Sequence, residues 1–436
     1  MDARDRRHRP NARSGHPLKL FDRTGAFRAL SYPNYFWFWS SYFVSNVGSW
    51  MQSIAMGWLL FDLTGSPLYL GLFSSLRMVM LIGFFILGGI MSDRIDRRKV
   101  MLWSQFIAAG TSLVLALLVT RQSIQVWHIF LLGALTSTTW AFEQPVRQAL
   151  LPQLIPRDDL VNALALNAVT WNGAGLLGPS LVGVSVAYIG IDGCFYANVI
   201  SYLAVIGALL RMNVPNVVDN ARRSTVLQSL IDAFAYVRGE RIIMTFLTVS
   251  ALFNIFGRSY TTLLPVIAKE VLHLGPAGFG FISAGPGMGT IIGSLGLAFL
   301  GRVRARRGIL IALLLAFCSS LIVFTLCADA KFAFAFLVAV GALSTVFETL
   351  INTAIQLRVD EPFRGRVSGF YGLTGGGLRE FGGMQAGLVA EWASASFAIG
   401  AGAVALAVIG YVFLGARLKK LGGLDLTVTT ARDSKT

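Results

Sequence analysis

The sequence predicts an all-α membrane protein with twelve transmembrane helices. Apolar runs of about twenty residues recur along the 436-residue chain, each long enough to cross ~30 Å of hydrocarbon at 1.5 Å per residue. Hydrophobic residues make up 55% of the chain and charged residues 14%, well below the roughly 25% charged in soluble domains. The runs lack the alternation of barrel strands, and in lipid only helices or closed barrels satisfy their own backbone. Basic residues, finally, collect in every second connector.

The first 34 residues form a basic tail, with a short interfacial helix expected over 18–30 that sets Phe21 and Phe27 against headgroups. It does not read as a signal peptide, because the first apolar run comes after more than about thirty polar residues and is too long. The first span covers 35–61, with Trp37 and Trp39 as interface anchors. Asp62 orders the turn after it. Ser66 is placed to cap the second span, 68–91, with Pro67 at its first position. Spans over 100–119 and 126–147 come next. Pro145 blurs the end of the latter, and Glu143 is expected to pair with Arg147 four residues on, at the interface. Spans 162–186 and 194–211 complete a first bundle, 35–211.

A polar connector, 212–242, is too short for a soluble domain and divides the spans six and six. The second bundle, 243–415, holds spans 243–268, 277–300, 309–327, 332–356, 367–390 and 397–415, and residues 416–436 form a tail. The halves resemble each other in register. Ser66-Pro67-Leu68-Tyr69-Leu70-Gly71 matches Gly275-Pro276-Ala277-Gly278-Phe279-Gly280, and the same offset aligns Arg97-Arg98 with Arg306-Arg307. Ile155 to Leu160 parallels Val359 to Phe363. Two such repeats imply a pseudo-symmetric molecule with a cavity between its halves.

Most of the 37 Lys and Arg residues lie in the tails and in the 92–99, 147–160, 211–241, 301–308 and 358–366 connectors. The intervening connectors hold only Arg121, Lys269 and Lys331. By the positive-inside rule both termini are expected in the cytoplasm, in a bacterial inner membrane. The net charge of +15 therefore tracks topology, and no nucleic-acid partner is expected. Cys194, Cys318 and Cys327 read as small apolar residues. His8, His16, His128 and His273 are dispersed, so no metal and no cofactor is expected. Neither a phosphate-binding Gly-x-x-x-x-Gly-Lys-Ser/Thr loop nor a nucleophile elbow occurs, and no enzyme is predicted.

Two motifs carry more. Gly89-Ile90-Met91-Ser92-Asp93-Arg94-Ile95-Asp96-Arg97-Arg98 joins the second and third spans. Gly89 permits close helix approach, and Asp93 is an anion able to meet a helix N-terminus or an arginine. Read by itself, this is either a conformation-dependent contact or an ordinary basic connector. Gly178-Pro179-Ser180-Leu181-Val182-Gly183 in the fifth span combines close packing with a bend.

Gly89, Asp93, Arg94, Arg97 and Arg98 resemble the glycine–aspartate–arginine signature of the major facilitator superfamily. Gly178, Pro179 and Gly183 are similar to its antiporter motif, departing from it at Val182 and Ala174. Gly48 to Gln52, Leu63 to Pro67, Leu263 to Val266 and Phe363 to Val367 look like the macrolide-efflux and enterobactin-exporter branch. The resemblance implies a major facilitator fold of two six-helix bundles, efflux of a small molecule in exchange for protons, and a cytoplasmic latch at Asp93. In the second half Arg302 stands where that aspartate would be.

Charges inside spans are costly, at least ~2.5–3.5 kcal/mol at the bilayer centre, and usually face a cavity or a partner. Glu348 and Glu380 are the proton-coupling candidates. Arg77, Arg258 and Arg379 are substrate-cavity candidates and lean towards an anionic or zwitterionic compound; static ion pairs are the competing reading. Asn46, Gln52 and Asn254 either line the cavity or bind helices together. The expected function is export of small organic molecules, siderophore or drug-like, with protons and lipid as the other partners and a monomer sufficient. A proton-coupled uptake symporter and a transport-inactive sensor or assembly partner are the alternatives the sequence leaves open.

Overall fold

A computed structural model of the chain describes residues 25, 27–92, 96–212, 234–300 and 306–417. Among the described residues there are helices and no strands. Twelve long helical runs succeed one another: α1 Pro33–Thr64, α2 Pro67–Ser92, α3 Arg97–Thr120, α4 Val126–Leu154, α5 Leu160–Ile189, α6 Asp192–Arg211, α7 Arg241–Val271, α8 Pro276–Leu300, α9 Arg307–Leu326, α10 Ala330–Arg358, α11 over 364–392 and α12 Ala395–Gly415. Nine are long and apolar enough to cross a membrane: α2, α3, α5 to α10, and α12. The other three, α1, α4 and α11, carry many of the polar side chains that point inward.

The helices overrun the expected spans by a few residues at most ends. The largest difference is α4, which continues through Pro145 and Pro152 to Leu154. Proline is no stop signal where neighbouring helices and the lack of water favour continued helix. Because the helix continues, Glu143 lies in the interior and not at an interface. The expected interfacial helix over 18–30 lies largely outside the described residues. Its described end, Arg28–Ser31, is one 3₁₀ turn. That turn is tied to the start of α5: Arg28 Nε stands 2.9 Å from Asp159 Oδ1, and Tyr32 donates to Asp159 Oδ2 at 2.6 Å.

Burial fits lipid as solvent: large apolar side chains cover the outside, while the interior combines an extensive apolar core with buried polar groups. Phe299 is 88% exposed and Ile200 67%, whereas Gln52, Gln105, Glu143, Asn198 and Asn254 are buried. Trp392 and Tyr188, both highly exposed, sit near helix ends where aromatic belts form.

The two ends of the bundle differ. At one, called here the turn end, lie the α1–α2, α5–α6, α7–α8 and α11–α12 turns. Here the halves touch backbone to backbone. A Cβ added at Gly280 of α8 would stand 2.4 Å from the Gly183 nitrogen of α5, and one at Gly387 of α11 would stand 2.7 Å from Cα of Gly71 in α2. Only glycine permits that approach. The other end carries the 155–156, 212 and 359–360 connections, and is called the connector end.

Helices α7 and α11 are interrupted by wide turns. Arg258 N donates to Phe253 O, five residues back, at 3.1 Å, and a matching π segment covers Thr374–Leu378. Gly257 ends the first wide turn and Gly375, Gly376 and Gly377 fill the second. Such one-turn expansions insert a residue and re-aim the side chains beyond it. The first side chain beyond the expansion is Arg258 in α7 and Arg379 in α11.

Candidate functional site

Between the halves lies a cavity of about 290 Å³, continued toward the turn end by a second of about 220 Å³. Trp50, Ser53, Phe73, Arg77, Trp171, Arg379 and Glu380 line both, so they form one path. The first reaches toward the connector end along Glu143, Gln144 and Arg147 of α4.

At the turn end the path is closed by contacts between halves. Trp58 of α1 stacks on Phe279 of α8 with centroids 5.2 Å apart. Lys269 pairs with Asp62, which therefore does more than order its own turn. The α2 N-terminus is served across the seam: Glu391 Oε2 accepts from Ser66 Oγ at 2.6 Å and from Leu68 N at 3.1 Å. The cap the sequence assigns to Ser66 comes instead from a carboxylate of the opposite half, where the helix dipole favours an anion.

The expected cavity residues divide. Arg77 Nη2 stands 3.2 Å from Glu380 Oε1, joining α2 to α11. Arg258 of α7 pairs with Glu348 of α10 at 3.0 Å; Arg258 lines the second cavity, while Glu348 lies behind it, outside the lining of either. Arg379 lines both cavities, contacts Thr261 Oγ1 at 3.4 Å and has no carboxylate within 4 Å among the described residues. Asn46 lines the first cavity and donates to Tyr42 O at 2.8 Å. Gln52 Oε1 accepts from Ser112 Oγ at 2.6 Å and Asn198 Nδ2 at 2.7 Å, binding α1 to α3 and α6 at the cavity wall. Asn254 lines neither cavity; it is buried and donates to Ser250 O at 2.9 Å.

Of the latch motif, Asp93 and Arg94 lie outside the described residues, as do the surroundings of Gly89 on α2. Arg97 donates to Ala149 O at 3.2 Å and Arg98 to Leu210 O at 2.8 Å, placing cations near the carbonyl ends of α4 and α6. In the fifth-helix motif, Gly178 packs against Trp50 and the Val47 carbonyl, Pro179 lines the second cavity, and Gly183 meets α8.

Three features escape sequence reasoning. The wall of Trp50, Trp171 and Trp140, with successive ring centroids 6.1 and 6.4 Å apart and rings inclined at 62° and 43°, offers an angled apolar surface in the cavity that Arg77 and Arg379 also line. Glu391 carries no local mark, since its partner stands on another helix. Glu143 reads in the sequence as half of a helical ion pair, yet it accepts from Tyr42 Oη and from Gln105 Nε2, the latter at 2.6 Å. Arg147 forms no ion pair with it within 4 Å, donating instead to Gln144 Oε1 at 2.9 Å with its guanidinium 5.2 Å from the Tyr42 ring centre.

Comparison with known proteins agrees with this architecture. A family model described as transmembrane secretion effector matches residues 24–433. The staphyloferrin A transporter of Staphylococcus aureus (strain NCTC 8325 / PS 47) is 29% identical over 265 residues, 59% of this chain and 65% of that protein, so the chain spans just under two thirds of that relative. Macrolide efflux protein A of Streptococcus pyogenes is 23% identical over 348 residues, 77% of this chain and 84% of that one. Among solved structures, the nucleoside transporter NupG superposes with a TM-score of 0.67 at 14% identity, covering 89% of this chain and 99% of that chain. A bacterial homolog to the human lysosomal transporter Spinster, inward-facing and unoccupied, gives 0.64 at 14% identity, covering 90% and 96%. These last two likenesses concern the fold.

Proposed function

The chain belongs to the transmembrane secretion effector family of the major facilitator superfamily, and on that premise we propose that it is a secondary transporter exporting small organic molecules by alternating access. The observation that carries this reading is the cavity between the halves, closed at the turn end and reaching toward the connector end along α4. We count α1, α4 and α11 as spans with the other nine, because they pack within the same bundle and supply its polar lining.

The positive-inside rule, applied to the basic connectors, supports a cytoplasmic connector end with both termini on that side. In this orientation the cavity faces the cytoplasm, the state in which an exporter loads. The Asp62–Lys269 and Glu391–Ser66 contacts then form the outer gate, breaking when the halves rock the other way. A two-state carrier of this kind needs contacts that differ between its states, and these four residues are polar, peripheral and shared between halves.

The lining suits a molecule with an anionic group and an apolar body. Arg379 offers a guanidinium with no carboxylate within 4 Å among the described residues, and the tryptophan wall offers a surface for rings or chains. The guanidinium suits the carboxylates of a siderophore such as the staphyloferrin named in one relative, and the tryptophan wall suits the apolar ring of a macrolide such as those named in another. Proton inflow is the proposed driving force, and Arg77–Glu380 is the pair that an anionic substrate would compete to open.

Everted membrane vesicles test the reading. Energised by a proton gradient, vesicles holding this protein accumulate labelled staphyloferrin A or a labelled macrolide, and collapse of the gradient abolishes accumulation. Accumulation of neither compound class removes the exporter assignment; uptake in the reverse sense makes the protein an importer.

A further inference from the structure

We propose that Glu143 of α4, in place of the cation-paired Glu348 and Glu380, is the carboxylate that binds and releases the coupling proton; the proposal rests on the proton-driven reading above. Of the carboxylates at or near the cavity, Glu380 stands 3.2 Å from Arg77 and Glu348 stands 3.0 Å from Arg258. A carboxylate already neutralised by a guanidinium gains little from a proton. Glu143 is different. It lines the first cavity, is only 9% exposed, and has no Lys or Arg nitrogen within 4 Å among the described residues.

Its surroundings are neutral donors from two other helices. Tyr42 Oη of α1 donates to Oε1, and Gln105 Nε2 of α3 donates to Oε2 at 2.6 Å. The remaining charged and titratable neighbours make their hydrogen bonds elsewhere, although Arg147 and Tyr202 line the same cavity and interact with Glu143 through space. Arg147, one turn on along α4, is bonded to Gln144 and lies over the Tyr42 ring. Tyr202 of α6 shares a hydrogen bond with Ser49 at 3.3 Å. Arg77 of α2 lines the same cavity and is held by Glu380.

The cluster is complementary to both charge states of the carboxyl group. With Glu143 ionised, Tyr42 and Gln105 supply one donor to each oxygen. Gln105 Oε1 is then buried without a partner, an unusual cost for an interior amide. When a proton from water in the cavity adds to Glu143 Oε2, a half-turn of the Gln105 amide presents Oε1 as acceptor for the new O–H, while Tyr42 continues to donate to Oε1. A glutamine amide carries donors and an acceptor on the same hinge. A static ion pair has no use for that ambivalence; a site that must be occupied and emptied in every cycle does. No electron moves and no bond other than O–H is made or broken.

The test reads the proton directly and needs no transported compound. Purified full-length protein in lipid nanodiscs is titrated by infrared difference spectroscopy from about pH 8 down to about pH 5.5, a range in which exposed Asp and Glu stay ionised, tracking the carbonyl stretch of a protonated carboxylic acid. The wild-type protein shows such a band growing on acidification. Glu143→Gln abolishes it, and Glu348→Gln and Glu380→Gln leave it in place. Tyr42→Phe, which keeps the carboxyl group but removes one donor, shifts the pH midpoint of the band, a change that a purely structural cluster would not produce. Persistence of the band in Glu143→Gln overturns the assignment and leaves the exporter reading standing; an unmoved midpoint in Tyr42→Phe overturns it also, should the glutamine variant not fold. If no carboxylic acid of the wild-type protein titrates in that range, this proposal and the proton-driven reading fall together.

Discussion

Arg77 and Glu380 meet at 3.2 Å across the seam between the two halves, inside the cavity both of them line. Neither half can supply both charges, so the pair exists only while α2 and α11 are held in this arrangement. Its strength is limited, because the Arg77 side chain is 39% exposed to the cavity and water screens it. A double-mutant cycle on thermal stability with Arg77→Ala and Glu380→Ala is expected to give a coupling of about 0.2–1 kcal/mol. A coupling of several kcal/mol would mean that the pair is a rigid structural bond and not one that substrate displaces.

The outer gate makes a directional prediction. Glu391→Gln removes the charge from the α2 N-terminus, where an anion contributes about 1 kcal/mol, a shift of roughly fivefold in the balance of states. In a background with Ser53→Cys, whose side chain lines both cavities, an impermeant maleimide added outside should label Glu391→Gln several-fold faster. Lys269→Ala should act in the same direction.

Close approach of α5 and α8 sets a third expectation. Gly280→Val places side-chain atoms where the Gly183 backbone already stands, so the turn end cannot close as it does here. Overpacking of this kind costs about 1–3 kcal/mol. Thermal denaturation in detergent should show that loss, accompanied by faster outside labelling at Ser53→Cys. Gly110→Val on α3, where an added Cβ meets nothing within 4 Å, serves as the control.

Gln52 carries the fourth. Its Oε1 accepts from Ser112 and Asn198, and Gln52→Leu leaves two buried donors unpaired. The cost is about 1–3 kcal/mol for each group left unsatisfied, read as a lowered melting temperature. Restoring stability with Asn198→Ala in the same chain would identify the stranded amide as the cause.

What can be read in the sequence is set by what is local. Hydropathy marks a helix because every residue of the span contributes, and the expected runs lie within the observed helices to a few residues. The turn Ser66-Pro67 is likewise visible, since Pro67 fixes its own backbone. Partnership is not local. Ser66 is a capping residue by type, but the anion that serves α2 is Glu391, far along the chain, and only the packing of α2 against α11 brings them together. Glu143 is misplaced by the sequence for a related reason: Pro145 suggests an end to α4, and the helix continues because its neighbours sustain it. The wide turns before Arg258 and Arg379 leave a trace in their glycines, Gly257 and Gly375 to Gly377, but glycine alone does not distinguish a wide turn from close packing.

Reversible locking of the turn end tests the account most directly. In a chain with Cys194, Cys318 and Cys327 replaced by alanine, Ser66→Cys and Glu391→Cys are bridged by a short bis-methanethiosulfonate, and accumulation of labelled staphyloferrin A or a labelled macrolide is measured in everted vesicles. A carrier that must open this end to release its cargo loses transport when bridged and regains it on reduction. Undiminished transport through the bridged protein would contradict alternating access between these two halves.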